Sequence, residues 1–546
     1  MASLVPPPRR RFNVRIPLRD GINLAADLTF PQVLPAPALV MRTPYGKGGE
    51  VPTRRAEDFA AGGYVFVTVD VRGRGDSDGT FVPYRNDGPD GHDVIEWLAA
   101  QEWCTGAVAS YGGSYPGQIQ YLAALERPPS LRAMVVMVTP SDPFVEDRAG
   151  VFSPMHVDWF RLVDGRVPQY QGGVDWMTVY RHRPLLTMDE AAGFVSENWR
   201  ESLRHRPLDD FWAPLRYQDR IAEITVPVLH ISGWYDDEEI GTPANFAALS
   251  AAGRHGQRLL MGPWGHQVND SRTVGDVDFG PEAVIDLNGH VLRFLDEHLR
   301  DRPADGGKPV RIFVMGANEW RDEDAWPPPD VTATTLHLHG GGRANSLFGD
   351  GTLSPDPPGD EPPDQWIHDP ADPVPYPTGA SSRQIGGPDD CAGVQARSDV
   401  LVYTTDPFDE PIDIIGPVRL IAHVETSAPD TDVVARLSLV GRAGRAQRLC
   451  DGMIRLRYRE GFERELRAVH GEVYEVEVAM WDTAQRVLRG QRLRLDIAAS
   501  AFPKHEVNLG TGGDVITETT GVLATNTLWH TGERPSRLIL LTRRAP

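Results

Sequence analysis

Three residues of this 546-residue chain have the types, order and surroundings for nucleophilic acyl chemistry. The first is Ser114, in Gly112-Gly113-Ser114-Tyr115-Pro116-Gly117, where an apolar run gives way to a helical stretch. A serine on so sharp a strand-to-helix turn needs small neighbours. Gly112 and Gly117 supply them, with the spacing Gly-x-Ser-x-x-Gly rather than Gly-x-Ser-x-Gly. The turn exposes Oγ and aims the helix N-terminus at it, so the backbone N–H of Tyr115 can help hold an oxyanion. A serine hydroxyl is a poor nucleophile without a base, and the base needs a carboxylate to orient it. Asp236, in Gly233-Trp234-Tyr235-Asp236, and His266, in Gly262-Pro263-Trp264-Gly265-His266, follow in the order Ser, Asp, His, each just past an apolar run. Of the 16 histidines His266 is the best placed; His92 opens a helix and His230 lies within a strand, so both read as packing residues.

These residues need a sheet whose strand ends converge. Apolar runs at 38–43, 64–71, 107–111 and 132–138 read as buried strands, and 93–101 and 116–125 have helical spacing. The rhythm resumes with strands at 226–232 and 258–262 and a helix over 281–300. Alternation of this kind predicts a mostly parallel sheet covered by helices, an α/β-hydrolase core. Residues 141–224 break the pattern; rich in Trp, Arg, His and Asp, they read as a helical cap inserted over the sheet's active edge. After a linker-like run at 302–308, alternating strands at 310–315, 334–338, 418–425, 432–440, 472–478 and 492–498 predict an all-β sandwich of the jelly-roll type. The domains expected are therefore 1–140 and 225–301 for the core, 141–224 for the cap and 309–546 for the jelly roll, with 353–377 as a Pro- and Asp-rich surface arm.

A formal charge of -21 repels nucleic-acid phosphates and anionic membranes, so neither is an expected partner. Cys104, Cys391 and Cys450 lie far apart and fit neither a disulfide framework nor a zinc pattern. No apolar run is long enough to span a bilayer, and no signal peptide is visible, so a cytoplasmic protein is expected. The sequence leaves the oligomeric state open and is compatible with a homo-oligomer.

Five motifs stand in an order and setting that resemble the group of cocaine esterases, α-amino acid ester hydrolases and X-prolyl dipeptidyl aminopeptidases. They are Arg42-Thr43-Pro44-Tyr45-Gly46-Lys47, Asp70-Val71-Arg72-Gly73, the Ser114 turn, and the segments ending in Asp236 and His266. The resemblance covers nearly the whole chain. It implies that the Tyr45 hydroxyl donates to the oxyanion beside the Tyr115 N–H, which agrees with a tyrosine directly following a buried strand. It also bears on Asp236-Asp237-Glu238-Glu239, four acids in a row. Such a run reads either as a solvated helix start or as a pocket for a cation. In the α-amino acid ester hydrolases, acids two and three residues past the catalytic aspartate help bind the substrate's α-ammonium; Glu238 and Glu239 match, with Trp234 beside them as a further substrate contact. A third acid comes from the segment after the nucleophile's helix, where Asp142, Glu146 and Asp147 are near but do not align.

Other motifs carry less. Asp70-Val71-Arg72-Gly73-Arg74-Gly75-Asp76-Ser77-Asp78-Gly79 has the wrong glycine spacing for a dinucleotide loop, and only a fragment of a calcium loop. His337 and His339 share a strand face without a third ligand, so no metal site is expected. The expected function is a serine hydrolase that cleaves a small-molecule ester or amide through an acyl-enzyme, with no cofactor. An X-prolyl aminopeptidase or acylase acting on amides is the alternative within enzymes; a non-catalytic carbohydrate-binding protein is the alternative outside them.

Overall fold

Short runs of Val, Ile, Leu and Ala bounded by Gly and Pro become buried strands in the computed structural model, which describes residues 9–142, 150–303, 306–377 and 387–545. The first sheet begins with β1 (Arg9–Pro17), β2 (Asn23–Phe30) and β3 (Ala36–Thr43). Then come α1 (Glu50–Ala61), β4 (Val65–Asp70), α2 (Asp87–Ala99), β5 (Cys104–Gly113), α3 (Tyr115–Leu125) and β6 (Leu131–Met137). The cap follows, with short helices α4 (His156–Leu162), α5 (Trp176–Tyr180), α6 (Met188–Ala191) and α7 (Glu197–Arg204). The sheet resumes with β7 (Val228–Gly233), α8 (Gly241–Ala251), β8 (Arg258–Gly262), the small hairpin β9 (Thr273–Val274) and β10 (Val277–Asp278), α9 (Leu287–Leu299), β11 (Val310–Val314) and β12 (Glu319–Glu323). Its spatial order is β1-β2-β4-β3-β5-β6-β7-β8-β11-β12, and β4 through β11 run parallel. Parallel strands are covered on both faces, and the two faces here form separate cores, one around Val40, Val67 and Ile119, the other around Phe59, Ile231 and Phe294.

Two expectations change. The helix over 281–300 starts only at Leu287; Pro281–Ala283 is a separate 3-10 turn, and Asp286 caps the helix by accepting the Gly289 N–H at 2.9 Å. The run at 310–315, read as the first strand of the sandwich, instead joins the hydrolase sheet beside β8, with Val310 opposite Leu259, and β12 closes that edge. Val310, Ile312, Phe313 and Val314 are all buried, so the segment is buried on both faces as a parallel strand is, without the alternation of a sandwich strand.

The rest of the chain forms a second, all-β unit with 11 strands in one hydrogen-bonded sheet. Its longest strands, Ile412–Thr426 and Tyr474–Val487, pair antiparallel, and the sheet wraps one apolar core around Leu420, Leu437, Val478 and Leu495. This unit also completes the cap. Phe502, Val507, Val515 and Ile516 share a core with Phe160, Tyr180 and Trp199 of the cap. Arg206 of the cap reaches Glu506 at 2.8 Å, and Glu506 in turn takes Arg455 at 2.7 Å, which also grips Asp432 at 2.8 Å. His339, set aside as a metal ligand, bonds to Glu361 at 2.7 Å.

Candidate active site

Strand β5 runs into Ser114, whose φ of 61° and ψ of -134° lie where a residue with a Cβ is strained. The strain is held by packing. The Ser114 N–H donates to the carbonyls of Met137 and Val138, both at 3.0 Å. A Cβ at Gly112 would sit 2.6 Å from the Pro116 Cβ, and one at Gly117 would sit 2.4 Å from Thr139 Oγ1. The second contact explains the longer glycine spacing, because it is the position three past the serine that abuts the next strand's exit. Helix α3 begins at Tyr115, so its N–H is one of the first-turn donors that the helix itself leaves unmatched. The Tyr115 side chain is turned into the core, where its hydroxyl donates to Asp87 at 2.5 Å.

The loops after β7 and β8 press together because Gly233 has no side chain. A Cβ there would lie 2.2 Å from the Trp264 carbonyl, and the Trp234 and Tyr235 N–H groups donate to Gly262 and Trp264 at 3.0 and 2.9 Å. This register brings His266 Nδ1 to 2.8 Å from Asp236 Oδ1. Asp236 is fully buried and also accepts the Ser232 hydroxyl at 2.8 Å and the Glu238 N–H at 3.2 Å. With Nδ1 so engaged, Nε2 is the nitrogen left to exchange a proton. Burial alone would strip the imidazole of its proton, but Asp236, Glu238 and Asp237 outweigh it and push the value up to about 10.

Tyr45 follows β3 and its hydroxyl bonds to Ser114 and accepts the Trp159 Nε1–H at 3.0 Å. Burial pushes the phenol up to about 12, so it stays protonated and able to donate. Its loop is clamped on two sides. Lys47 N–H donates to Asp70 at 2.7 Å and its ammonium meets Asp76 at 2.5 Å, filling the carboxylate cluster that resembled a calcium fragment. Arg74, wholly buried, donates to the Pro44 carbonyl at 2.8 Å and to Val163 of the cap at 2.7 Å.

Tyr45, Ser114, Tyr115 and His266 line one pocket of 1370 Å³. Asp237 and Glu238 also line it, whereas Glu239 is buried behind the pocket wall and Trp234 points away. The Trp234 indole donates to the Phe313 carbonyl at 2.8 Å and packs on Trp326, so its expected substrate contact is corrected to a core role. The four acids precede α8 and three of them are buried, which rules out a solvated helix start. The sequence assigns no third acid, and the nearby candidate among the described residues does not supply one. Asp142 accepts the Tyr217 N–H at 2.8 Å and the Gln218 N–H at 3.2 Å and does not line the pocket. Glu146 and Asp147 lie outside the described residues.

Of the cap acids that line the pocket, Asp158, Asp164, Glu197 and Glu201, only Asp158 of α4 is buried, and it was missed in the sequence. Burial raises it well above the usual carboxylate range, Tyr180 donates to it at 3.2 Å, and Asp237 adds repulsion. A carboxylate in His156-Val157-Asp158-Trp159-Phe160, whose neighbours Val157 and Phe160 are buried, was the signal available. A ring nitrogen of His266 and one oxygen each of Asp236 and Asp237 lie within 4.8 Å of one another, the only such trio among the described residues; the imidazole Nδ1 is already taken by Asp236.

A strained serine at a strand exit, a histidine paired with a buried carboxylate and donors beside them define a serine hydrolase with an α/β core, cap and β domain. Comparison with known proteins narrows the class. Residues 20–268 match the model of the X-Pro dipeptidyl-peptidase (S15 family), and residues 304–539 match that family's C-terminal non-catalytic domain. Cocaine esterase of Rhodococcus sp. (strain MB1 Bresler) is 33% identical over 97% of each chain. An aminopeptidase from a marine-sediment Thaumarchaeota archaeon superposes with a TM-score of 0.87 at 25% identity, over 100% of this chain and 98% of that one. An α-amino acid ester hydrolase shares the fold with the same TM-score, 0.87, at 24% identity, over 100% and 98% of the two chains. The chain belongs to the family of cocaine esterase and the S15 X-Pro dipeptidyl-peptidases, and it is a serine hydrolase. No helix among the described residues is long and apolar enough to cross a membrane.

Proposed function

We propose that Ser114, His266 and Asp236 form the catalytic triad of an esterase whose preferred acyl group carries an α-ammonium. The observation that supports the triad is the 2.8 Å His266–Asp236 bond in the pocket that holds the strained Ser114. In this reading Ser114 Oγ attacks the ester carbonyl while His266 Nε2 takes its proton. The new oxygen–carbon bond forms as the carbonyl π pair moves onto oxygen, where the Tyr45 hydroxyl and the Tyr115 N–H hold it. Collapse expels the alcohol, which receives the proton from His266. Water then repeats the sequence on the acyl-enzyme and frees Ser114.

The ammonium preference rests on Asp158, Asp237 and Glu238, which reach the pocket from the cap and from the turn after β7. Buried carboxylates gathered in one place are costly unless a cation balances them. A substrate ammonium would supply such a cation. The same pocket suits the N-terminus of a peptide, and the matched S15 model and the archaeal aminopeptidase give that amide reading its weight. A cytoplasmic setting is supported by Cys104, Cys391 and Cys450, all buried thiols without a bridge. A fluorophosphonate probe tests the nucleophile; labelling is expected at Ser114, and labelling of another serine overturns the triad. Turnover of matched esters with and without an α-amine, and of dipeptide amides, tests the pocket; equal kcat/KM for the ester pair overturns the ammonium preference.

A further inference from the structure

Trp159 stands on the cap helix α4, next to Asp158, and lines the pocket. Its indole Nε1–H donates to the Tyr45 hydroxyl at 3.0 Å. The polarity of that bond is fixed, because an indole N–H can only donate. A phenol oxygen accepts through its lone pairs and carries a single proton. With the indole on its accepting side, the Tyr45 proton is turned away from Trp159 and is left for the side where the hydroxyl meets Ser114. Accepting one hydrogen bond also polarises the O–H and strengthens the next bond it gives. The phenol's titration points the same way, since burial raises it and the Trp159 bond pulls it back.

The indole is itself held in place. Its plane lies within 8° of the Tyr84 ring, with centres 6.4 Å apart, and within 25° of the Tyr115 ring at 6.0 Å, while Phe160 meets it edge-on at 5.1 Å. Arg74 ties the two partners' segments together. Its guanidinium donates to the carbonyl of Pro44, the residue before Tyr45, at 2.8 Å, and to that of Val163, at the end of α4, at 2.7 Å. The Val163 N–H closes the loop by donating to the Trp159 carbonyl at 3.0 Å. A hydroxyl restrained in this way needs no reorientation when charge develops on the substrate oxygen. We propose that Trp159 is a positioning residue for the oxyanion hole: its indole N–H sets the direction of the Tyr45 O–H, so the cap supplies part of the stabilisation of the reacting oxygen. The proposal rests on the reading of Tyr45 as an oxyanion donor and adds a dependence on the cap which that reading does not require.

The test uses the full chain and p-nitrophenyl acetate, a neutral ester that leaves the ammonium preference out of the measurement. Stopped-flow release of p-nitrophenolate gives the acylation rate at saturation and the concentration that half-saturates it. Trp159→Phe keeps an aromatic ring and removes the N–H. The saturated rate is expected to fall roughly three- to tenfold, the loss of one neutral hydrogen bond, with a smaller change in the half-saturating concentration. Trp159 also lines the pocket, so lost packing has to be separated from lost positioning. A double-mutant cycle does this. In Tyr45→Phe, which has no hydroxyl to orient, adding Trp159→Phe is expected to change the saturated rate by less than about twofold. An equal fall in both backgrounds, an unchanged rate, or a fall confined to the half-saturating concentration overturns the proposal. A second replacement guards against repacking: 3-benzothienylalanine at position 159 puts sulfur where the indole carries its N–H and keeps the outline of the ring. It is expected to slow acylation by a similar factor, and full activity overturns the proposal. If Tyr45→Phe leaves acylation unchanged, the oxyanion reading falls and the positioning with it. If Tyr45→Phe slows acylation but the two substitutions act independently, the positioning alone falls.

Discussion

Two regions of this molecule treat buried acids in different ways. At the seam between cap and β domain, Glu506 is met by Arg206 at 2.8 Å and Arg455 at 2.7 Å, and Asp432 is held by Arg455 through two nitrogens at 2.8 and 2.9 Å. In the pocket, Asp158 accepts the Tyr180 hydroxyl at 3.2 Å, and Asp237 and Glu238 lie near the His266 imidazole. Burial tends to raise both Glu506 and Asp158, yet the guanidiniums carry Glu506 below its ordinary value while Asp158 is left far above its own. Removing a charge from water is repaid only by a well-placed opposite charge. The seam has that charge in its own chain and reads as structure. Asp158, whose partner is a tyrosine hydroxyl, lines the pocket and reads as part of a site.

The largest expected effect separates the two regions outright. Ser114→Ala should lower ester hydrolysis by at least about ten-thousandfold, because a triad works as a unit, and should leave thermal unfolding where it was. A variant that also melts early would mean that the strained turn at Ser114 holds the fold rather than the chemistry, and the contrast would blur.

Next comes the seam. Glu506→Gln leaves two buried guanidiniums facing a neutral amide, and breaking such a pair costs about 3–5 kcal/mol. Denaturant unfolding should record that loss, while kcat of the remaining folded enzyme changes little. The pH dependence has a definite sign. Glu506 is depressed, so its contribution is present above the ordinary carboxylate range and is lost as pH falls through its folded value. A stability difference between wild type and Glu506→Gln that fails to shrink in acid would contradict the assignment.

Tyr45→Phe sharpens the pocket side. Loss of one oxyanion donor lowers kcat by roughly a hundred- to a thousandfold with a smaller change in KM. The phenol sits between Trp159 and Ser114, and the phenylalanine keeps the packing, so stability should hold. An unchanged kcat, where chemistry is shown to limit the rate, removes Tyr45 from the reaction.

How much of this was legible beforehand follows from range. Ser114, Asp236 and His266 each announce themselves through neighbours in sequence, because strand exits and glycine turns are local devices. The parallel sheet is legible for the same reason. Asp158 is not, since its place on the pocket comes from where α4 lands relative to the turn after β7, 79 positions away at Asp237. Trp234 was misread because the alternation of side chains past Gly233 sends it to the Phe313 side of the sheet. The run at 310–315 was assigned to the wrong unit because a six-residue apolar segment does not state which sheet will accept it.

The smallest expected effect is the most discriminating, and it falls on Asp158. The asparagine of Asp158→Asn keeps the shape and can still accept the Tyr180 hydroxyl, but carries no charge. If Asp158 holds the α-ammonium, the loss is that of a charge-assisted hydrogen bond, about 1.5–3 kcal/mol. That corresponds to roughly a ten- to hundredfold fall in kcat/KM for an α-amino ester, with the matched neutral ester nearly unaffected. Stability should move the other way. Asp158 has a folded-state value raised well above the unfolded one, so ionising it destabilises the fold, and the penalty grows as pH rises from about 4 through the raised value. Asp158→Asn removes that penalty, so the variant should be as stable as wild type in mild acid and more stable at pH 8. Glu506→Gln shows the reverse, a loss that is full at pH 8. A destabilised Asp158→Asn at pH 8, with both esters slowed alike, would place Asp158 among the structural acids and end the contrast on which the ammonium pocket rests.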